Sequence, residues 1–270
     1  MITVIFGAGA SAGCARKETS SANFQLKPPL AQELFSKEYK DIRDKYNIED
    51  LSHILDNAAK NEVSIEATLE EENRYPQKKD EMIRLRFYLE ELFEKVSDEF
   101  LENSGASCYS ALIRFFENYA ANYLADEIRF ITFNYDTLIE RAMSRCLENY
   151  EFKSIENYYS HDRKYKLIKL HGSCNWKYQI EDQQFWHARK SEMDRLTFGQ
   201  SRNFESLSNE KIIVVDDIIN IGSDDILHYS LPAIGLPITS KDANSFVCPQ
   251  QMLDKLPSIH YWLEGTGKSF

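Results

Sequence analysis

The chain has 270 residues, a formal net charge of −11, 43% hydrophobic and 13% aromatic residues, enough apolar material for one large globular domain or two small ones and too much for intrinsic disorder. The acidic balance excludes a general nucleic-acid backbone binder, which needs clustered Lys and Arg to displace counterions. No stretch reaches the ~18 consecutive apolar residues of a membrane span, and "MITVIFGAGA" has no basic flank ahead of its apolar run, so it is not a secretory signal and the expected location is the cytoplasm, away from membranes.

The first element is a strand, "ITVIF", followed at once by "GAGAS". Gly7, Gly9 and Ala12 have the G-x-G-x-x-G/A spacing of a turn that brings backbone close to a pyrophosphate at a helix N-terminus. The same spacing also fits a glycine-rich strand-to-helix turn that holds no ligand. An ordinary dinucleotide dehydrogenase has an acidic residue at the end of a second strand about 20 positions on. Here the chain reads "KPPLAQELF", which points away from hydride transfer.

Residues 30–125 read as a helical module inserted into the α/β core, because "EDLSHILDNAAK", "SIEATLEEEN", "KDEMIRLRFYLEELFEKVSDEFLEN" and "CYSALIRFFENYAANYL" repeat apolar residues at i, i+3, i+4 and i+7. Ser64 is followed three residues later by Ala67, short of a full capping box, and "NSGAS" at 103–107 marks a break between two helices. The charge-dense "EEENRYPQKKDE" reads as a solvated loop.

Three further apolar runs each end in polar or small residues: "IRFITF" before "NYDT", "KLIKL" before "HGS" and "KIIVV" before "DD". Their lack of alternation predicts buried parallel strands, and "LIERAMSRCLENY" after the first of them supplies the helix of a βαβ unit. Residues 177–210 are polar and show no clear period. "SLPAIGLPITSKDANSFVCPQQM" reads as an ordered irregular segment, and "IHYWLEGTGKSF" as a final strand and turn. The "GTGKS" within it is not a P-loop, since Trp262 stands where that motif needs glycine. The five cysteines, at 14, 108, 146, 174 and 248, include no CxxC pair and read as reduced small hydrophobes, with neither a disulfide framework nor a metal site.

Asn134, Asp136 and His171 stand directly after predicted strands. Each has a structural reading, as turn former, helix cap or strand-end histidine. Each also falls where ligands of open parallel sheets bind, outside the carboxyl ends of the strands. A phosphate cradle, an amide with a carboxylate, and an imidazole would then meet in one crevice.

"GAGAS", "TFNYDTLIE" and "KLHGSCNW", in this order, resemble the NAD-binding motifs of sirtuins. They are closer still to the sirtuin-like NAD hydrolase domains of bacterial anti-phage defence proteins, which also have a "PPLxxELF"-like stretch and segments similar to "PAIGLPI" and "FVCP". The resemblance runs from residue 2 to about 253. It implies a Rossmann-like parallel sheet built from 1–29 and 126–270, with 30–125 as the helical insertion. Gly7, Ala8, Gly9 and Ser11 would hold the NAD phosphates and neighbouring ribose. Asn134 would act at the nicotinamide ribose and help position water, Asp136 would contact the nicotinamide carboxamide, and His171 would be the general base, a role suited to an imidazole whose ordinary pKa is ~6.5.

The four-cysteine zinc module and the G-I-P-D-F-R loop of the protein deacylases are absent; "GAGASAGCARKETS" stands in the loop's place. The resemblance therefore implies an NAD glycohydrolase, with NAD as substrate and no metal, acting as an effector that depletes NAD in anti-phage defence. An NAD- or ADP-ribose-binding sensor is the alternative from another class, and an NAD-dependent protein deacylase comes third. Partners expected are NAD and either further copies of the chain or a gating protein, with a phage-derived trigger. Relatives continue through a further strand that contacts the adenosine end of NAD, so a C-terminally shortened core is expected.

Overall fold

Residues 2–6, 128–132 and 165–169 form three parallel strands in the computed structural model of the protein, which describes residues 1–14, 26–103, 107–123, 127–180, 207–215, 229–238 and 246–256. Strands β1 (Ile2–Phe6), β2 (Ile128–Thr132) and β3 (Tyr165–Lys169) lie in the order β1-β2-β3. The register aligns Phe6 with Thr132 and Thr132 with Lys169, so the three strands end together. All of β3 and all of β2 except Arg129 are buried, as a doubly covered parallel sheet requires. β1 departs from this expectation. It alternates, with Ile5 64% exposed, because among the described residues it is an edge strand with an open face.

Helix α1 (Ala8–Cys14) follows β1 directly. Five more helices precede β2: α2 (Lys40–Tyr46), α3 (Glu49–Lys60), α4 (Ile65–Asn73), α5 (Lys79–Asn103) and α6 (Cys108–Tyr123). Their apolar period sets which face is buried: Leu85, Leu89, Leu92 and Val96 of α5 are fully buried one turn apart. Ser64 caps α4 by accepting the Ala67 backbone N–H at 3.3 Å, without the reciprocal bond of a capping box. The segment "EEENRYPQKKDE" is not a loop. It is the end of α4, a 3-10 turn at Pro76–Lys78 and the start of α5. Its charges are largely solvated, but they sit on helical backbone whose ends are joined by Lys78–Glu81 at 2.9 Å. Helix α7 (Leu138–Cys146) follows β2, and α8 (Glu156–Tyr159) leads into β3.

A second, antiparallel sheet follows β3: β4 (Gly172–Ile180) lies between β5 (Ile212–Val214) and β6 (Tyr229–Ile234). Two expectations are corrected here. "KIIVV" supplies β5, which is antiparallel; Ile212 is buried and Ile213 is 36% exposed, the alternation of a sheet with one solvated face. "SLPAI", read as irregular, is most of β6. Pro232 fits there because β6 is an edge strand, where a missing N–H costs no ladder bond on the open side. The short helix α9 (Gln250–Leu253) lies near the end of the described chain. The final strand and turn expected over 259–270, and most of the polar stretch 177–210, lie outside the described residues.

The switch from the parallel to the antiparallel sheet happens at one residue. Gly172 has φ +78°, and a Cβ there would stand 1.9 Å from the Ala233 carbonyl oxygen of β6. Only glycine accepts both the left-handed backbone and that approach. Beneath the turn after β2, the fully buried Lys169 pairs with Glu140 of α7 at 2.8 Å and donates to the Asp136 carbonyl. Lys177 of β4 is held likewise by Glu90 and by Glu94 at 2.9 Å. A buried ammonium is tolerable only when paired in this way, so the two lysines fix α5 and α7 against the strands. The architecture is α/β, a Rossmann-like parallel sheet with helices on its crossovers, and among the described residues no helix is long and apolar enough to cross a membrane.

Candidate functional site

Because the parallel strands end in register, the residues just beyond Phe6, Thr132 and Lys169 emerge at one edge of the sheet. A cleft of about 200 Å³ opens there. Ala8, Ser11, Asn134, Asp136 and His171 all line it. Of the remaining residues singled out from the sequence, Gly7 and Gly9 lie outside the lining, on the exposed glycine turn, and Gly7 is tied to it only through its carbonyl, which accepts from Asn134.

Asn134 is the most constrained of these side chains. Its Nδ2 lies 3.1 Å from Gly7 O, 2.9 Å from Ser11 Oγ and 3.4 Å from the hydroxyl of Tyr109, while its backbone N–H donates to Thr132 Oγ1 at 3.1 Å. Gly7 O can only accept, so Nδ2 and not Oδ1 must face it, which fixes the amide's orientation. Oδ1 is left as the side chain's remaining hydrogen-bonding atom. Ser11 Oγ and Tyr109 OH are themselves 3.0 Å apart. Burial, and after it the Asp136 carboxylate, push the Tyr109 phenol well above its ordinary pKa, so it stays a neutral hydrogen-bonding group at any physiological pH.

Asp136 is 2% exposed and does two things. Its Oδ1 accepts the Leu138 backbone N–H at 3.1 Å, an Asx turn leading into α7. It also lines the cleft, so the structural role does not take the residue away from it. The turn between Asn134 and Asp136 is tied down by Cys174 N–H to Tyr135 O at 2.8 Å and by the Tyr135 hydroxyl to Gly235 O at 2.8 Å.

His171 follows Leu170, whose N–H still bonds Thr132 O at 3.1 Å. Its carbonyl accepts Gly235 N–H at 2.8 Å, and its backbone bridges Val247 in parallel. The imidazole, in a residue 6% exposed, sits among Phe133 at 5.1 Å, Tyr135 at 6.2 Å and Phe246 at 6.3 Å between ring centroids. Aromatic walls of this kind fix the ring plane and keep bulk water away. Among the described residues no three His, Cys, Asp or Glu side chains stand together as metal ligands would.

The glycine turn is open. A Cβ at Gly7 or Gly9 would meet nothing within 4 Å, and neither has a positive φ. Left-handed backbone is therefore not the reason for glycine at these positions; unobstructed approach to the backbone is the property the structure offers.

Several cleft residues are not evident from the sequence. Pro29, Ala31 and Leu34 of "KPPLAQELF" form one wall, a 3-10 turn held by Glu33 accepting the Leu30 N–H at 2.9 Å. Glu66 of α4, Phe93 of α5 and Pro237 complete the lining. Tyr109 is one of 15 tyrosines, and nothing in its helical context separates it from the others. Only the family's "PPLxxELF" pattern would have pointed to the first group.

The sequence model of the SIR2-like domain family matches residues 128–208. That span contains β2, Asn134, Asp136, β3 and His171, and leaves out the glycine turn at 7–11. No curated protein matches the chain. The match supports a sirtuin-like domain and, with it, NAD-related function in general.

Proposed function

We propose that the protein is an NAD glycohydrolase, converting NAD and water to nicotinamide and ADP-ribose. The observation that carries this reading is the link from Asn134 to Gly7 O and Ser11 Oγ, which joins the glycine turn to the residues flanking His171 around one cleft. At about 200 Å³ the cleft is below the ~300–1,000 Å³ of pockets that enclose whole ligands, so it suits the reacting nicotinamide-ribose end, with the phosphates along Gly7, Ala8, Gly9 and Ser11.

In this mechanism Asp136 holds the carboxamide and Asn134, its Nδ2 already committed, offers Oδ1 to the ribose hydroxyls or to the attacking water. Cleavage of the bond between ribose and nicotinamide develops positive charge on the sugar, which fixed dipoles and a carboxylate in a dry cleft stabilise without reorganising. His171 takes the proton from the water or ribose hydroxyl as general base. No metal enters the scheme.

The biological role we propose is depletion of NAD in anti-phage defence, by a cytoplasmic effector. Unrestrained hydrolysis would harm the cell that makes it, so self-association or a partner protein, responding to a phage-derived trigger, gates the cleft. A binding-only sensor of NAD or ADP-ribose is the second reading, favoured by the commitment of Asp136 Oδ1 to the Leu138 backbone N–H. Incubation with NAD followed by chromatography separates the two. Nicotinamide and ADP-ribose appear for the hydrolase and vanish in Asn134→Ala and His171→Ala, each tested for retained far-UV circular dichroism. Binding by calorimetry with no nicotinamide released over hours would select the sensor.

A further inference from the structure

Two of the five cysteines meet outside the cleft. Cys14 closes α1 and is buried, whereas Cys108 opens α6 and is exposed. The Cys108 thiol lies 4.0 Å from Gly13 O, the carbonyl that precedes Cys14, which puts the start of α6 against the end of α1 with one cysteine on each. The bond between Ser11 Oγ and Tyr109 OH, at 3.0 Å, joins the same two helix faces beside this pair. Parallel placement of Ser11 with Tyr109 and of Cys14 with Cys108 shows that the contact is a property of how α1 docks on the start of α6.

We propose that Cys14 and Cys108 are an oxidative modification site, forming a reversible intramolecular disulfide when the protein meets a hydroperoxide. Cys108 reacts first, because it is reached from solvent. Its sulfur attacks the peroxide O–O bond, giving a sulfenic acid and releasing water or an alcohol. Cys14 is buried, out of reach of a hydroperoxide in solution. It acts as the resolving thiol, its sulfur attacking the Cys108 sulfenic sulfur so that an S–S bond forms and a second water leaves with the Cys14 proton. Two thiols lose two electrons in all, and one peroxide is reduced. A thiol reductant reverses the bond by exchange. Bringing the sulfurs to the ~2.04 Å of a disulfide draws α1 onto α6 and pulls on both Ser11 and Tyr109, the groups that hold Asn134. Disulfides in reducing compartments are characteristically transient and regulatory, which fits a bond with one exposed sulfur.

The test uses the full-length reduced protein, hydrogen peroxide as oxidant, and alkylation of the remaining thiols after denaturation, read by mass spectrometry. The expected result is protection of two of the five thiols, a fall of about 2 Da in intact mass before alkylation, and one linked peptide joining Cys14 to Cys108. All three return to the starting state with dithiothreitol. Cys108→Ser, at an exposed position, leaves Cys14 fully alkylated after the same treatment, while Cys146→Ser changes nothing. Cys108 recovered as sulfinic acid with Cys14 still alkylated would overturn the proposal, as would a link formed instead through Cys146. The readout is a bond between two sulfurs, so it is independent of whether the cleft hydrolyses NAD.

Discussion

Replacing Gly172 by alanine puts a methyl group where β6 passes. The new Cβ would lie 1.9 Å from Ala233 O and 3.1 Å from Val247 Cγ1, against a comfortable separation of ~3.5 Å. Either the β6 carbonyl retreats by about 1.5 Å or the Gly172 backbone rotates out of its left-handed conformation, and the second alternative re-aims His171. Left-handed backbone costs a non-glycine residue ~1–2 kcal/mol. Retreat of β6 also breaks the Gly235 N–H to His171 O bond, 2.8 Å long, and the pairing of Gly172 with Ile234, each buried group left unsatisfied costing ~1–3 kcal/mol. The sum for Gly172→Ala is about 3–8 kcal/mol, a large part of the ~5–15 kcal/mol that holds a domain together. Urea unfolding followed by far-UV circular dichroism measures it directly. A loss below ~1 kcal/mol would refute the claim that close approach and positive φ make glycine obligatory after His171.

Other substitutions separate binding from folding. Gly9→Ala meets no atom within 4 Å and lies inside α1, so stability is unchanged or rises by up to ~1 kcal/mol, while the KM for NAD rises about tenfold if phosphates approach that backbone; an unchanged KM counts against a phosphate site there. Tyr109→Phe removes the hydroxyl that meets Ser11 and Asn134, with an expected stability loss of ~1 kcal/mol and a kcat reduced by roughly three- to tenfold at constant KM; wild-type turnover would show that Gly7 O and Ser11 position Asn134 unaided. Glu91 gives a pH test. Burial works to raise its pKa, but bonds from Lys45, Lys95 and Tyr46 outweigh it and bring the carboxyl from 4.5 to about 2. The folded value is the lower one, so the stabilisation is present above pH 4.5 and is lost as pH falls through about 2. Glu91→Gln then costs about 2 kcal/mol at pH 7, after allowance for solvent screening, and the gap from wild type narrows between pH 4.5 and 2. A gap constant across a urea-unfolding series in that range contradicts the assignment.

The parallel strands and the positions of Asn134, Asp136 and His171 are legible because each depends on local pattern: an unbroken apolar run, then a polar strand end. The helices between β1 and β2 are legible by their period. β5 and β6 were harder, for physical reasons. A run as short as Ile212–Val214 has too few residues to show alternation, and Pro232 speaks against a strand unless the strand is known to be an edge. Ile5 reads as a core residue, and only the sheet order reveals its exposure. Tyr109, which meets Ser11 and Asn134, and Glu66, which lines the cleft, escape altogether, since tertiary packing that no short window of sequence contains puts them there. The open glycine turn shows a subtler gap: the spacing is readable, but not that Gly7 and Gly9 have ordinary torsion angles and open room above the backbone.

The register of the first sheet bears on how the molecule is made. β1 is made well before its described partner, which begins at Ile128, so the strand waits through synthesis of the six described helices between them before it can pair. Contacts so distant along the chain form slowly and late, and an apolar strand left unpaired in the meantime is exposed to wrong association. The cleft, assembled from the ends of those same strands, cannot exist on any nascent fragment that lacks His171. Whatever chemistry the cleft performs is thus withheld from the nascent chain until His171 has been made and the strands have paired.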